Sequence, residues 1–186
     1  RLVSYPANLL STIAVGASTD WDYRSAYSQY GTTLDFVAPS NGGYGAVYTT
    51  DRTGTAGYNQ QSNDPNQPGY DPLTDRNYSS LFGGTSAAAP LAAGIGALML
   101  SKNPGLTTAQ IRSIMRNTSD KIGGNNGQTA YNAGQNQYYG YGRVNAANAL
   151  AATPWPGDYN NNGIADSGDY IIWRKTLGQS VVIPND

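Results

Sequence analysis

Ser86 sits alone in a run of very small residues, Gly83-Gly84-Thr85-Ser86-Ala87-Ala88-Ala89-Pro90, followed at once by the apolar stretch 91–100. A serine hydroxyl is a weak nucleophile at its free pKa. It needs a base, and it needs donors for the oxyanion that forms on the attacked carbonyl. At the start of a helix it would have unpaired backbone N–H groups and the positive end of the dipole beside it. Gly83 and Gly84 would let a substrate come close to the backbone, and Ala87 to Ala89 would let the helix sink behind the serine. A plainer reading fits the same spacing, with Ser86 as an N-cap that opens a buried Ala/Gly helix. The 186 residues contain no histidine, so the usual activating base is not among them.

A second stretch supports different chemistry. Asp158, Asn160 and Asn162 fall at positions 1, 3 and 5 of a twelve-residue loop, with Gly163 at 6, Ile164 at 7, Asp166 at 9 and Asp169 at 12. That is the spacing of a calcium loop of the EF-hand type, with Asp in the last place. Alternate side chains can face a hard cation, glycine permits the turn, and Ile164 would offer its carbonyl. Residues 170–178 suit the helix that should follow, with Gly178 as its stop. The same letters would also serve an Asx-rich solvated loop. Asp71 and Asp75 form a weaker candidate calcium site in the long polar segment.

Composition narrows the rest. A formal net charge of −1 with scattered Lys and Arg offers no footprint for nucleic acid. With no cysteine there is no disulfide scaffold and no thiolate metal site. No apolar run reaches the ~18 residues of a membrane span. Twenty-three Gly, fifteen Tyr and only 12% charged residues suit a loop-rich, secreted or cell-surface bacterial protein. The chain opens on Arg1, and the expectation is the C-terminal part of a longer product.

The elements that must carry these residues follow from patterning. Residues 11–18, 34–39 and 46–50 read as short strands, with Asp35 needing a partner and Pro39 ending the second. Residues 40–80 are otherwise polar, as expected of functional surface. A helix starts at Ser86 with Leu91, Ile95, Leu98 and Met99 on one side, and Asn103-Pro104-Gly105 breaks it. Thr107 and Gln110 form a capping box for a second helix bearing Ile111, Ile114 and Met115. A third follows Asn145. The proline-bounded stretch 153–157 divides a domain 1–152 from a tail 153–186.

Residues 84–90 resemble the serine motif of the subtilisin-like proteases (subtilases), Gly-Thr-Ser-x-Ala-x-Pro. Four further segments agree in order: Tyr5-Pro6 with 12–17; 27–31 with 34–40, where Ser40 replaces a glycine; 103–112; and 140–146. The spelling from Gly83 to Gly94 is similar to the kexin-like branch. Residues 4–11 hold no acidic side chain, so that branch's preference for basic residues does not carry over.

The resemblance implies an α/β fold, a subtilisin-like parallel-sheet sandwich of which this is the C-terminal portion, and a serine-type endopeptidase acting on polypeptides. It makes Ser86 the nucleophile and a backbone oxyanion donor, and Thr85 an oxyanion support. The triad's Asp and His and the oxyanion Asn would lie upstream of Arg1, so the isolated chain should be inactive. The tail resembles one repeat of a type I dockerin. That implies a small α-helical appendage, calcium held by Asp158, Asn160, Asn162, Ile164, Asp166 and Asp169, and a cohesin-like or cell-surface scaffold partner. The competing reading is a non-catalytic surface protein that uses a degenerate subtilase domain as scaffold for the calcium module.

Overall fold

A computed structural model describes residues 1–59, 70–123, 130–160 and 162–177. Among these, four strands and four α-helices form, and the chain divides into two compact units. The first comprises residues 1–92 and 120–143, the second 93–119 and 144–186.

In the first unit, β1 (Val15–Ser18) pairs in parallel with β2 (Phe36–Pro39), Val15 opposite Phe36. Both are apolar and short, and Ala17, Phe36, Val37 and Ala38 are fully buried. Two-sided burial is what a parallel pair requires. Ala14, Leu34, Val37, Ile122 and Tyr139 form the adjacent core cluster. Asp35 has the partner its position demands. Its carboxylate accepts from the Ala14 N–H at 2.6 Å, while its own N–H donates to the Ala14 carbonyl at 3.0 Å. Pro39 does end β2.

β3 (Val47–Thr50) pairs antiparallel with β4 (Tyr78–Phe82), with a bulge at Val47. The second strand of this pair is not evident from its letters, Tyr-Ser-Ser-Leu-Phe, which mix polar and apolar residues without alternation. The segment before it is fixed by two buried polar side chains. Asn59 donates to the carbonyls of Leu73, Asp75 and Tyr78. Asp71 accepts from the Ser79 and Ser80 hydroxyls and from the N–H groups of Leu73 and Ser80. Asp71 thus works as an internal tie.

Helix α1 (Thr85–Lys102) starts one residue before the expected Ser86 and stops before Asn103. Its buried stripe is Ala88, Ala92, Ile95 and Met99, whereas Leu91 and Leu98 are exposed. With apolar residues on every side, spacing alone did not distinguish the two faces.

In the second unit α2 (Thr108–Thr118) has the expected Thr107–Gln110 capping box and packs on α3 (Ala146–Ala152). Lys102 donates to the Leu150 carbonyl at 2.9 Å near the end of α3. Helix α4 (Ser167–Thr176) follows the Asp158–Asp169 loop. Gly178 and residues 181–186 lie outside the described residues. No helix among the described residues is long and apolar enough to cross a membrane.

Candidate active site around Ser86

Ser86 is the second residue of α1 and is exposed to solvent. The two residues behind it, Ala87 and Ala88, are buried, so the helix anchors itself directly beneath an accessible hydroxyl. As a first-turn residue, Ser86 has a backbone N–H with no acceptor inside the helix. Pro90 is the sixth helical residue and carries no N–H, so it cannot donate to the Ser86 carbonyl.

The approach to the helix is set from outside it. Gly84 has a φ of +74°, in the region L side chains rarely adopt, and a Cβ on Gly83 would overlap the Asn41 side chain. The Gly84 N–H donates to Asn41 Oδ1 at 2.8 Å, and the Gly84 carbonyl accepts from Ser40 Oγ at 2.7 Å. That carbonyl also accepts from the Ala87 N–H at 3.1 Å. Tyr27 Oη donates to Asn41 Oδ1 at 2.6 Å, and Ser25 Oγ donates to the Asn41 carbonyl at 2.8 Å. Ser40 and Asn41 follow β2 directly, so the turn that presents the serine is tied to the end of the parallel pair. Both stand in a polar stretch whose letters read as loop; the replacement of a glycine by Ser40 marks the first, and no sequence signal marks Asn41.

Thr85 and Tyr27 border a cavity of about 230 Å³ whose other walls include Val3, Ala14, Val15 and Leu34. Thr85 itself is exposed.

The loop 158–169 is organised by its own side chains. Asp158 Oδ1 accepts from the Asn162 N–H at 3.1 Å and Oδ2 from the Gly163 N–H at 2.8 Å. Asn160 Oδ1 accepts from the Asn162 N–H, and Asn162 Oδ1 from the Ile164 N–H. Asp166 caps α4 by accepting from the Gly168 N–H at 2.7 Å. Asp169 accepts from the N–H groups of Asp166 at 2.7 Å and Asn160 at 2.9 Å. The Asp166 N–H, with those of Asn160 and Tyr159, holds the Asp169 carboxyl below its ordinary range. Positions 9 and 12 therefore also form a capping box. Among the described residues no three carboxylates stand close enough together to hold a metal by themselves. The donors are all hard oxygens, which is the set calcium takes.

The fold and the Gly83–Gly84 turn define a mixed α/β protein that presents a solvent-facing serine at the start of a small-residue helix whose first turn is anchored by buried alanines. The sequence profile of the Subtilase family matches residues 2–142. A calcium-dependent protease of Trichormus variabilis is 43% identical over 163 residues, which cover 81% of this chain and 23% of that protein. Subtilisin BL of Lederbergia lenta is 35% identical over 144 residues, covering 77% of this chain and 39% of that protein. Among solved structures, a protease of Pseudoalteromonas arctica aligns with a TM-score of 0.55 and 26% identity, over 80% of this chain and 38% of that one. The serine protease of Aeromonas sobria shares the fold at a TM-score of 0.62 and 24% identity, over 75% of this chain and 28% of that one. The chain belongs to the subtilase family. It spans under half the length of each of these relatives.

Proposed function

We propose that these residues form the nucleophile-bearing part of a secreted serine endopeptidase. The observation that carries this reading is an exposed Ser86 on the first turn of a helix anchored by buried Ala87 and Ala88, behind a glycine turn fixed on both its polar groups. Ser86 Oγ attacks the scissile carbonyl of a polypeptide and passes its proton to a histidine supplied from outside these 186 residues. The Ser86 N–H donates to the oxyanion, with Thr85 beside it, and an acyl-enzyme forms and is then hydrolysed. The aspartate that orients the histidine and the second oxyanion donor belong to the same missing set. The chain by itself therefore hydrolyses no peptide bond, because it has no histidine to take the Ser86 proton. The Gly83–Gly94 spelling supports a kexin-like lineage.

The tail reading rests on the loop 158–169 and helix α4. Calcium would be held by the side chains of Asp158, Asn160, Asn162, Asp166 and Asp169 and by the Ile164 carbonyl. It would replace backbone N–H groups as the partner that orders those oxygens. As a dockerin-like module, 153–186 would anchor the enzyme to a cohesin-like or cell-surface partner outside the bacterial cell. The names of the calcium-dependent relatives support an interest in calcium, without pointing to this loop.

The test is hydrolysis of an unstructured protein substrate by the full-length protein, its Ser86→Ala variant and the 186-residue chain. Activity in the first alone supports the reading. Activity that survives Ser86→Ala excludes Ser86 as nucleophile. No activity in the folded full-length protein favours the scaffold reading, which the lack of histidine in this chain keeps open.

A further inference from the structure

Asn41 makes contacts that an ordinary loop residue does not need. The Gly84 N–H can only donate, so the Asn41 atom facing it at 2.8 Å is the acceptor Oδ1. Tyr27 Oη faces that same oxygen at 2.6 Å and the Asn41 carbonyl at 2.7 Å, sharing its one proton between two acceptors of Asn41. One side-chain oxygen therefore joins a tyrosine below the turn to the peptide two residues before Ser86. The neighbouring Ser40 holds the other polar group of Gly84, its carbonyl, at 2.7 Å. Gly83 has no Cβ, and the Asn41 amide occupies the space one would take. Consecutive side chains, 43 and 44 residues earlier in the chain, thus grip both the N–H and the C=O of Gly84.

The Gly84 carbonyl also begins the first turn of α1 by accepting from Ala87. If Gly84 rotated, the Ser86 hydroxyl and the Ser86 N–H would move together relative to a bound carbonyl. Glycine in the left-handed region has little intrinsic preference for one orientation, so the restraint must come from its partners. Displacements of about 1 Å at a reacting group can cost roughly 100-fold in rate.

We propose that Asn41, seated by Tyr27 and seconded by Ser40, is a positioning residue for the reaction at Ser86. It fixes the Gly83–Gly84 turn so that nucleophile and oxyanion donor hold one orientation. This rests on the protease reading above. Asn41 touches no substrate. Its effect falls on the rate of acylation and not on substrate affinity. What the site requires is an acceptor oxygen of this size, so aspartate can replace asparagine and alanine cannot.

The experiment compares full-length wild type, Asn41→Ala and Asn41→Asp. Three quantities are read: amide hydrogen exchange in peptides covering 82–88, the labelling rate of Ser86 by a fluorophosphonate, and kcat and KM on a peptide substrate. In Asn41→Ala, exchange at Gly84 should rise about tenfold or more, and labelling and kcat should fall roughly 10- to 100-fold with KM within about twofold. Asn41→Asp should return all three to within about threefold of wild type.

Wild-type exchange and labelling in Asn41→Ala would overturn the proposal. So would Asn41→Asp behaving like alanine, or faster exchange spread equally over β1 and β2, which would mark a general loss of stability. Wild type that takes no label while the exchange contrast persists would overturn the protease reading, and the positioning role with it. The turn would then be held for structure alone.

Discussion

Two turns in this molecule lead into helices, and they are held in opposite ways. The turn before α1 is fixed by Ser40 and Asn41, more than forty residues away in the chain. In the loop before α4 the side-chain hydrogen bonds described above run between residues of the loop itself, at separations of nine positions or fewer. The first turn takes its shape from the β1–β2 pair, so it should fail only when tertiary structure is disturbed. The second is held by a series of short-range Asx contacts. An exposed nucleophile benefits from the first arrangement, because long-range ties restrain it in the folded state.

The largest effect belongs to the hydroxyl itself. Ser86→Ala in the full-length protein should lower kcat by roughly 10⁶-fold, toward background, with the fold intact by circular dichroism. Next comes the backbone of the restrained turn. Gly84→Ala forces a side chain to a φ of +74° and should cost about 1–2 kcal/mol. That is a drop of a few degrees in Tm, measured by calorimetry, with a fall in labelling rate. An unchanged Tm would mean the turn can relax, and the contrast with the calcium-type loop would weaken.

In the local loop, Asp158→Ala removes the acceptor for the Asn162 and Gly163 N–H groups. Calcium affinity by isothermal titration should fall at least about tenfold. Faster amide exchange should stay within 158–169. Exchange spreading beyond the loop would show that it is not self-contained.

The smallest effect is a pH dependence in the segment before β4. Burial alone would push the Asp71 carboxyl up. The Leu73 N–H, the Ser80 hydroxyl and N–H, and the Ser79 hydroxyl outweigh it and hold the carboxyl below its usual range. A depressed folded-state pKa stabilises above the unfolded value of about 3.9, and that stability is lost as pH falls through the folded value. Tm should therefore decline more steeply below about pH 4 in wild type than in Asp71→Asn. Parallel curves would mean the Asp71 ties add nothing to acid stability.

The contrast between the turns also explains what could be read from the letters. The capping box Thr107–Gln110 and the 158–169 loop were legible because their partners lie within a few positions. The helix that opens beside Ser86 was legible because a run of small residues ahead of an apolar stretch marks its start. The Asn41 tie was not legible, since asparagine before two glycines reads as a turn and its partner is forty-three positions away. Which side of α1 is buried was not legible, for a related reason. With Ala, Gly and Leu all around the helix, only packing decides that Ala92 and Ile95 face inward while Leu98 faces out. Strand β4 was missed because its pairing with β3 comes through the backbone and a bulge, with no periodic side-chain signal.

The central claim is that Ser86 is an activated nucleophile, and the most direct test is chemical. The native full-length protein is treated with a fluorophosphonate probe, digested, and the labelled peptide sequenced. The account predicts a label on the peptide containing Ser86, absent after heat denaturation and absent in Ser86→Ala. No label on correctly folded protein, or a label on another serine, would contradict it.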